Sequence, residues 1–412
     1  MSQQLRSDAE KIVKASLKAV LPNEAVVRAL CGFKPGSGKT ILISVGKAGW
    51  QMADAAVREL GKVDDGIVIT KYGHVMGSIP GVVCYEAGHP IPDQNGFDAA
   101  SAVIDRVSDL TDQDTVLFLL SGGGSALFEK PLISGEELQN ITQQLLSCGA
   151  DIVEMNTIRK RLSAVKGGRF AKCCEPAQVF SIVLSDIIGD PLDMIASGPA
   201  YPDSTIGEDA VRISEKYGLV LSDSAKKLLL FETPKTLNNV TTLITGSVRE
   251  LCAAAARACQ NLGYRPVILT DRLCCEAREA GSFLGSILRT NADKPEKFAW
   301  IAGGETVVRL TGNGLGGRNQ ELALAAAPLI DGLPNAAVFS FGSDGTDGPT
   351  DAAGGYVDGN TCKNLQLHNI DVPSVLREND SYHALQIVGG LLFTGPTGTN
   401  VNDVSIALSG GR

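Results

Sequence analysis

The sequence predicts an α/β protein of two domains, and three observations support this. Short apolar runs such as Val116–Leu120 alternate with amphipathic helical patterns along the chain, as expected for parallel sheets covered by helices. A length of 412 residues exceeds one ordinary domain. A polar segment, 231–239, contains Pro234 and separates two such alternations. We therefore expect domains at residues 1–235 and 240–412.

Composition excludes several classes of function. The formal net charge is -9 and the chain has no basic run, which argues against a nucleic-acid partner. No apolar run approaches the ~18 residues that a membrane span requires, so no membrane partner is expected. The ten cysteines lack metal-ligand spacing and are expected to be reduced thiols. The charged, amphipathic N-terminus is unlike a signal peptide, so a cytoplasmic location is expected; homo-oligomerisation stays open.

The most informative stretch is a glycine loop that follows the strand Val116–Leu120. Three successive glycines without Cβ atoms allow consecutive N–H groups to face a bound anion, and two flanking serines add hydroxyl donors. The alternative is a tight turn between strand and helix. The residues leave open whether the loop holds a nucleotide phosphate or a substrate carboxylate. The candidate binding residues are Ser121, Gly122, Gly123, Gly124 and Ser125.

Two charged residues are expected beside this loop. Lys47 follows the strand Thr40–Val45 at the start of a helix, where a cation is disfavoured by the helix dipole unless an anion binds. A solvated surface lysine is the alternative. Asp186 follows the strand Val179–Leu184, and open α/β sheets place their chemistry beyond the carboxyl ends of such strands.

The second half contains further polar loops at the edges of predicted strands and helices. They are GGET at 303–306, GNGLGGRNQE at 312–321 and GSDGTDGPTDAAGG at 342–355. Arg318 opens a helix there, which is a natural anion site, whereas the aspartates can equally be turn residues. The candidates are Arg318 as a catalytic residue, Asn319 and Asp351 for binding, and Glu305, Asp344 and Asp347 for a metal.

These residue types favour phosphoryl transfer over other chemistries. There is no GxSxG motif for a serine hydrolase, and the glycines at 312–317 lack the following acidic residue of a dinucleotide site. Residues 32–40 approach a phosphate-binding P-loop, but they precede a strand instead of following one. Phosphoryl transfer requires a glycine-rich backbone, cations, carboxylates for magnesium and a carboxylate to orient a hydroxyl. The chain carries all four.

Taken together, the motifs closely resemble those of the ATP-dependent glycerate 2-kinases, whose C-terminal part is the "multi-organism fragment" domain. The resemblance covers essentially the whole chain. The matching stretches are VGKAGW at 45–50, YEAGHPIPD at 85–93, LFLLSGGGSALFEKP at 117–131, NTIRKRLSAVKGGRFA at 156–171, VLSDIIGDPLDMIASGPAYPD at 183–203, GGET at 303–306, GNGLGGRNQELAL at 312–324, GSDGTDGPTDAAGG at 342–355 and TGPTGTNVND at 394–403.

The resemblance implies transfer of the γ-phosphoryl group of ATP to the 2-hydroxyl of D-glycerate, with Mg²⁺ as the metal. It also implies two α/β domains, the first with a Rossmann-like, mostly parallel sheet, and an active site in the cleft between them. Lys47 and Arg318 occupy the positions expected of the family's cleft residues. Some members of the family are labelled hydroxypyruvate reductases, so a nicotinamide-dependent reductase is the alternative function.

Overall fold

A computed structural model describes residues 2–411 and divides the chain into two compact units. The central unit comprises Pro22–Thr245. The terminal unit combines the segment that ends at Leu21 with the segment that begins at Gly246. Its first element is helix α1 (Ser2–Val20).

The central unit contains a six-stranded sheet and the helices that cover it. The strands are β1 Thr40–Val45, β2 Asp65–Lys71, β3 Val82–Ala87, β4 Thr115–Leu120, β5 Gln178–Leu184 and β6 Val240–Gly246. The helices are α2 Pro22–Leu30, α3 Gly49–Leu60, α4 Gln94–Val107, α5 Gly124–Leu127, α6 Gly135–Ser147, α7 Ile152–Arg161, α8 Arg169–Cys173, α9 Gly207–Lys216 and α10 Asp223–Leu229, with a 3₁₀ turn at Ile195–Ser197.

The strand order in this sheet is β3-β2-β1-β4-β5-β6, and β1 to β5 pair in parallel. This confirms the predicted parallel sheet. The register aligns Val45 with Leu120 and Leu120 with Val183, so β1, β4 and β5 end at the same level. The loops that follow these strands therefore leave the sheet side by side. Strand β6 was expected to be the first strand of the second domain. Instead it pairs beside β5 as an edge strand of this sheet.

The terminal unit has a mixed six-stranded sheet with the order β11-β10-β9-β12-β8-β7. Strand β12 lies antiparallel between β8 and β9, while β7 and β8 are parallel. The strands are β7 Arg265–Leu273, β8 Phe298–Gly304, β9 Ala336–Gly342, β10 Gly354–Asp358, β11 Leu391–Leu392 and β12 Asp403–Ser409. The helices are α11 Val248–Asn261, α12 Ala277–Thr290, α13 Arg318–Ile330, α14 Thr361–Leu367, α15 Val372–Glu378 and α16 Ser381–Ile387.

Helix α1 belongs to the terminal unit, which corrects the predicted first domain of residues 1–235. Its buried face includes Leu5, Ile12 and Leu17, which join one apolar cluster with Leu251 of α11 and Ile406 of β12. Burial of such side chains contributes roughly 1.5–3 kcal/mol each to stability. This explains why α1 packs in the terminal unit although the central unit follows it directly in sequence.

The segment that approaches a P-loop, 32–40, is a turn before β1. The N–H of Lys39 donates to Asp114 Oδ1 at 2.6 Å, and the N–H of Gly38 donates to the carbonyl of Gln113 at 2.8 Å. These N–H groups bind oxygens of the chain itself, in agreement with the prediction that this segment is not a nucleotide loop.

Candidate active site

The first candidate site lies at the carboxyl end of the central sheet, where two loops are hydrogen-bonded to each other. The N–H of Lys47, which follows β1, donates to the carbonyl of Gly122, which follows β4, at 2.9 Å. The N–H of Ser121 donates to the carbonyl of Val45 at 2.9 Å. The backbone of Lys47 and the glycine loop are thus held together, because β1 and β4 end at the same level.

Each of the three glycines is in close contact with a different neighbour. A Cβ atom on Gly122 would overlap the carboxylate of Asp186. On Gly123, whose φ is +87°, it would lie 3.0 Å from Nε2 of His89 and 3.2 Å from Cγ of Lys47. On Gly124 it would lie 2.7 Å from Cβ of Ala196. The loop therefore requires glycine because Lys47, His89 and Asp186 surround it closely.

The hydroxyl of Ser121 faces the interior instead of the loop's open side. Its side chain is buried, and Oγ accepts the N–H of Ala48 at 3.1 Å. Ser121 was expected to offer a hydroxyl donor to a ligand. In the structure its hydroxyl fixes the start of α3, whereas Gly122, Gly123 and Ser125 are partly exposed.

Two basic side chains hold the far end of the loop through the carbonyl of Ser125. Lys166 is fully buried, and its Nζ donates to Ser125 O at 2.8 Å and Phe128 O at 3.0 Å while contacting Glu129 at 3.2 Å. Arg159 Nη2 donates to Ser125 O at 3.1 Å. Burial lowers the pKa of Lys166 to about 8, although Glu129 acts in the opposite direction.

A strained segment packs against the same loop. Asp190, Ala196 and Ser197 have φ values of 54°, 51° and 61°, a region that residues with a Cβ seldom adopt. The hydroxyl of Ser197 donates to Asn156 Oδ1 at 2.9 Å and lies 3.4 Å from that of Ser125. Such strain persists where the surrounding structure over-determines it, which is common at functional sites.

The second candidate site lies in the terminal unit and is built around Arg318, the first residue of α13. Its guanidinium contacts Glu305 Oε1 at 2.6 Å and Asp403 Oδ2 at 2.6 Å. Burial lowers the pKa of Arg318, but the two carboxylates outweigh it and hold that pKa above its ordinary value. Burial also raises the pKa of Asp403 to about 6, although Arg318 opposes this. Arg318 is therefore a fixed cation, one-third exposed.

Asp347 and Asn319 are buried beneath the start of α13. Asp347 accepts the N–H of Asn319 at 3.1 Å and the N–H of Gln320 at 2.8 Å. Burial raises the pKa of Asp347 to about 7, against the effect of these N–H groups. Asn319 donates from its amide to Asp347 and accepts from Ser340. Asp347 therefore accepts two N–H groups in the first turn of α13, the turn that begins with Arg318.

The predicted metal site is not assembled. Between residues 2 and 411, no group of three or more His, Cys, Asp or Glu side chains could hold a metal ion. Glu305 is engaged by Arg318, and Asp347 by backbone N–H groups. Asp344 accepts the N–H of Thr346 at 3.0 Å, and Asp351 accepts the hydroxyl of Tyr382 at 2.8 Å. Glu305, Asp344 and Asp347 therefore do not form a ligand set by themselves.

Sequence reasoning missed Asp403 and His89. Asp403 begins β12, and antiparallel pairing places it opposite Gly304 and Gly342, the last residues of β8 and β9. Only knowledge of this strand order would have placed it beside Arg318. His89 follows β3, and its position shortly after a predicted strand was an available indication.

Comparison with known proteins gives a consistent result. Residues 8–230 match a family model described as "Domain of unknown function (DUF4147)", and residues 298–403 match the MOFRL family. A protein of Thermotoga maritima named D-glycerate 2-kinase is 52% identical, with 98% of this chain and 99% of that protein covered.

The chain belongs to the glycerate 2-kinase family.

Other relatives agree in fold and length. A glycerate 2-kinase of Pyrococcus horikoshii is 44% identical over 90% of this chain and 87% of that protein. A putative hydroxypyruvate reductase of Agrobacterium vitis is 37% identical over 97% of this chain and 93% of that protein. The crystal structure of glycerate kinase from Thermotoga maritima superposes with a TM-score of 0.94, at 50% identity, covering 99% of this chain and 100% of that one.

The close packing around Gly123 makes this family member sensitive to a single methyl group. We expect Gly123→Ala to lower turnover by at least tenfold, because the new Cβ would displace His89 or Lys47. Gly61→Ala is the matched control, since Gly61 has a similar φ of +80° and no atom within 4 Å of the added Cβ. Steady-state assays of both variants measure the effect. Equal activity of the two would show that the crowding at Gly123 has no functional role.

The buried pair of Lys166 and Glu129 predicts a large loss of stability when one partner is removed. Lys166→Met leaves the Glu129 carboxylate buried without its cation, which costs about 3–5 kcal/mol. Calorimetric melting should show a clear drop relative to Lys172→Met, a control at an exposed ion pair. The double variant Glu129→Gln with Lys166→Met should recover part of the loss. Equal melting temperatures for Lys166→Met and the control would show that the buried pair contributes no more to stability than the exposed one.

Proposed function

We propose that the protein transfers the γ-phosphoryl group of ATP to the 2-hydroxyl of D-glycerate, forming 2-phosphoglycerate and ADP. The observation that carries the proposal is the assembly of Lys47, the glycine loop and Asp186 at one sheet edge in a member of this family. Phosphoryl transfer depends on positioned cations and backbone donors more than on covalent chemistry.

In the central unit, the roles follow from the contacts. Gly122 to Ser125 supply a backbone without obstructing side chains, on which an anionic group can rest. Lys47 is partly exposed and lies on Gly123, so its ammonium can offset charge on the transferring group. The carboxylate of Asp186 lies against Gly122, where it can accept the proton of the glycerate hydroxyl.

In the terminal unit, Arg318 is the main functional residue. Its guanidinium is oriented by Glu305, which follows β8, and by Asp403, which begins β12, so little freedom is lost when it meets an anion. Asp347 binds the backbone N–H of Asn319, the residue after Arg318. Asp351 is an exposed carboxylate near the end of the loop at 342–355. We assign Arg318 to stabilisation of phosphate charge.

The nucleotide is proposed to bind as its Mg²⁺ complex. Protein carboxylates of the terminal unit fit Mg²⁺ in chemistry, but their oxygens are engaged within the protein and do not make a complete ligand set among residues 2–411. Magnesium usually keeps several waters and takes only one or two carboxylates together with substrate phosphates. The phosphates of ATP would then supply the remaining ligands. Of the three carboxylates predicted for the metal, Glu305 and Asp344 are partly exposed, whereas Asp347 is buried.

The glycines at 312–317 support the kinase over the reductase. Added Cβ atoms on Gly312 and Gly314 would collide with Glu378 and Asp380, and one on Gly317 would overlap Asp347. These glycines therefore permit close packing within the terminal unit. A dinucleotide site instead requires glycines that leave the backbone open to the pyrophosphate.

The ten cysteines are all free thiols. No helix in residues 2–411 is both long and apolar enough to cross a bilayer. A cytoplasmic location is part of this proposal.

Two assays test the function. Incubation with D-glycerate and ATP–Mg²⁺ should release ADP, and phosphorus NMR should identify 2-phosphoglycerate. Incubation with hydroxypyruvate and NADH should leave the absorbance of NADH unchanged. Formation of 3-phosphoglycerate would revise the acceptor hydroxyl, and NADH oxidation without ADP release would replace the kinase by the reductase.

Removing the ammonium of Lys47 should impair catalysis while preserving the fold. We expect Lys47→Ala to lower kcat by about 10²–10³-fold, the typical effect of losing one charge-stabilising group. Lys62→Ala, at an exposed lysine of the same unit, is the matched control and should be unaffected. Retained turnover in Lys47→Ala would exclude a role for this ammonium in phosphoryl transfer.

The base is tested by exchanging the Asp186 carboxylate for an amide of the same shape. Asp186→Asn should lower kcat by about 10²–10⁴-fold with a smaller change in KM, because an amide cannot accept the hydroxyl proton. Asp98→Asn, at an exposed aspartate in α4, controls for the loss of one charge. If kcat is unchanged in Asp186→Asn, the residue only shapes the loop.

A further inference from the structure

His89 is placed at the glycine loop by a turn that is itself tightly held. Strand β3 pairs in parallel with β2, so its end lies at the same sheet edge as the ends of β1 and β4. Asp93 stabilises the turn after β3, because its carboxylate accepts the N–H of Gly96 at 3.1 Å and the hydroxyl of Tyr72 at 2.6 Å. The His89 ring therefore has a defined position.

The ring is directed toward the middle of the loop. A Cβ on Gly123 would be 3.0 Å from both Nε2 and Cδ2, so this edge of the imidazole rests on the glycine. Lys47 packs on the same glycine at 3.2 Å. The ring is partly exposed, and in residues 2–411 neither of its nitrogens has a hydrogen-bond partner. A group resting on Gly123 would meet Nε2 directly.

The surroundings of His89 are cationic. The charged and titratable groups that act on it are Lys47 after β1, Lys71 at the end of β2 and His74 in the turn beyond it. The carboxylate of Asp186 lies against the neighbouring Gly122. Burial lowers the pKa of His89, and Lys47, Lys71 and His74 add to this effect. The lowered pKa favours the neutral imidazole, in which one nitrogen is a donor and the other an acceptor.

We propose that His89 is a substrate-contacting residue, whose Nε2–H donates a hydrogen bond to an anionic oxygen bound on the Gly122–Ser125 loop. This rests on the proposed function, which it deepens by adding a donor beside Lys47. The oxygen belongs either to a phosphate of ATP or to the carboxylate of glycerate, and the same donor geometry serves both. Lys47 supplies a positive charge, whereas His89 donates a directional hydrogen bond without adding to the local positive charge.

Steady-state kinetics test the contact. His89→Ala should lower kcat/KM by about 10- to 100-fold, the effect of losing a hydrogen bond to a charged group. His89→Gln should retain most of the activity, because its amide nitrogen can donate from the position of Nε2. A rise in KM for D-glycerate assigns the oxygen to the carboxylate, and a rise for ATP assigns it to a phosphate. His368→Gln, at an exposed histidine, should match the wild type.

A second measurement keeps this proposal separate from the proposed function. The chain has only four histidines, so ¹⁵N-histidine labelling resolves the His89 side chain, assigned by its absence in His89→Gln. Its Nε2 resonance should shift on addition of ATP or of D-glycerate, even if the wild type does not turn D-glycerate over. Wild-type kinetics in a folded His89→Ala variant, equal losses in both His89 variants, or a resonance that neither compound shifts would each overturn the proposal.

Discussion

The hydrogen bond from the N–H of Lys47 to the carbonyl of Gly122 is the interaction on which the central site depends. It exists because β1 and β4 are adjacent, parallel and level at Val45 and Leu120. With the two loops joined there, no space remains for a side chain at Gly122, Gly123 or Gly124. The glycines therefore let charged side chains approach the loop closely, and in the proposed function they also expose backbone toward a ligand.

The terminal unit also brings charged side chains together at the ends of its strands, but by a different topology. Its sheet inserts β12 antiparallel between β8 and β9, so the first residue of one strand lies beside the last residues of two others. Asp403 reaches Arg318 by this arrangement, and Glu305 reaches it from the end of β8. The guanidinium is thereby fixed by two carboxylates before any substrate arrives, which favours electrostatic preorganisation.

Sequence patterns predicted the parallel sheet and the positions of Lys47, Asp186 and the glycine loop, because strand ends and glycines are local features. Other features depend on contacts that are distant in sequence. Helix α1 joins the terminal unit through an apolar face that would equally suit another surface, and β6 joins the central sheet. Asp347 looks like a metal ligand in sequence, whereas its position beneath α13 makes it a helix cap.

The buried charges near the glycine loop serve its geometry more than the stability of the fold. A fully buried Lys166–Glu129 pair has little net advantage over an apolar pair of similar size, because desolvation offsets much of the attraction. Lys166, however, also donates from Nζ to the carbonyls of Ser125 and Phe128. Replacing Lys166 by an apolar residue would leave both carbonyls without this donor. Retention of a costly ion pair at this point is therefore best explained by the need to hold the loop in one conformation.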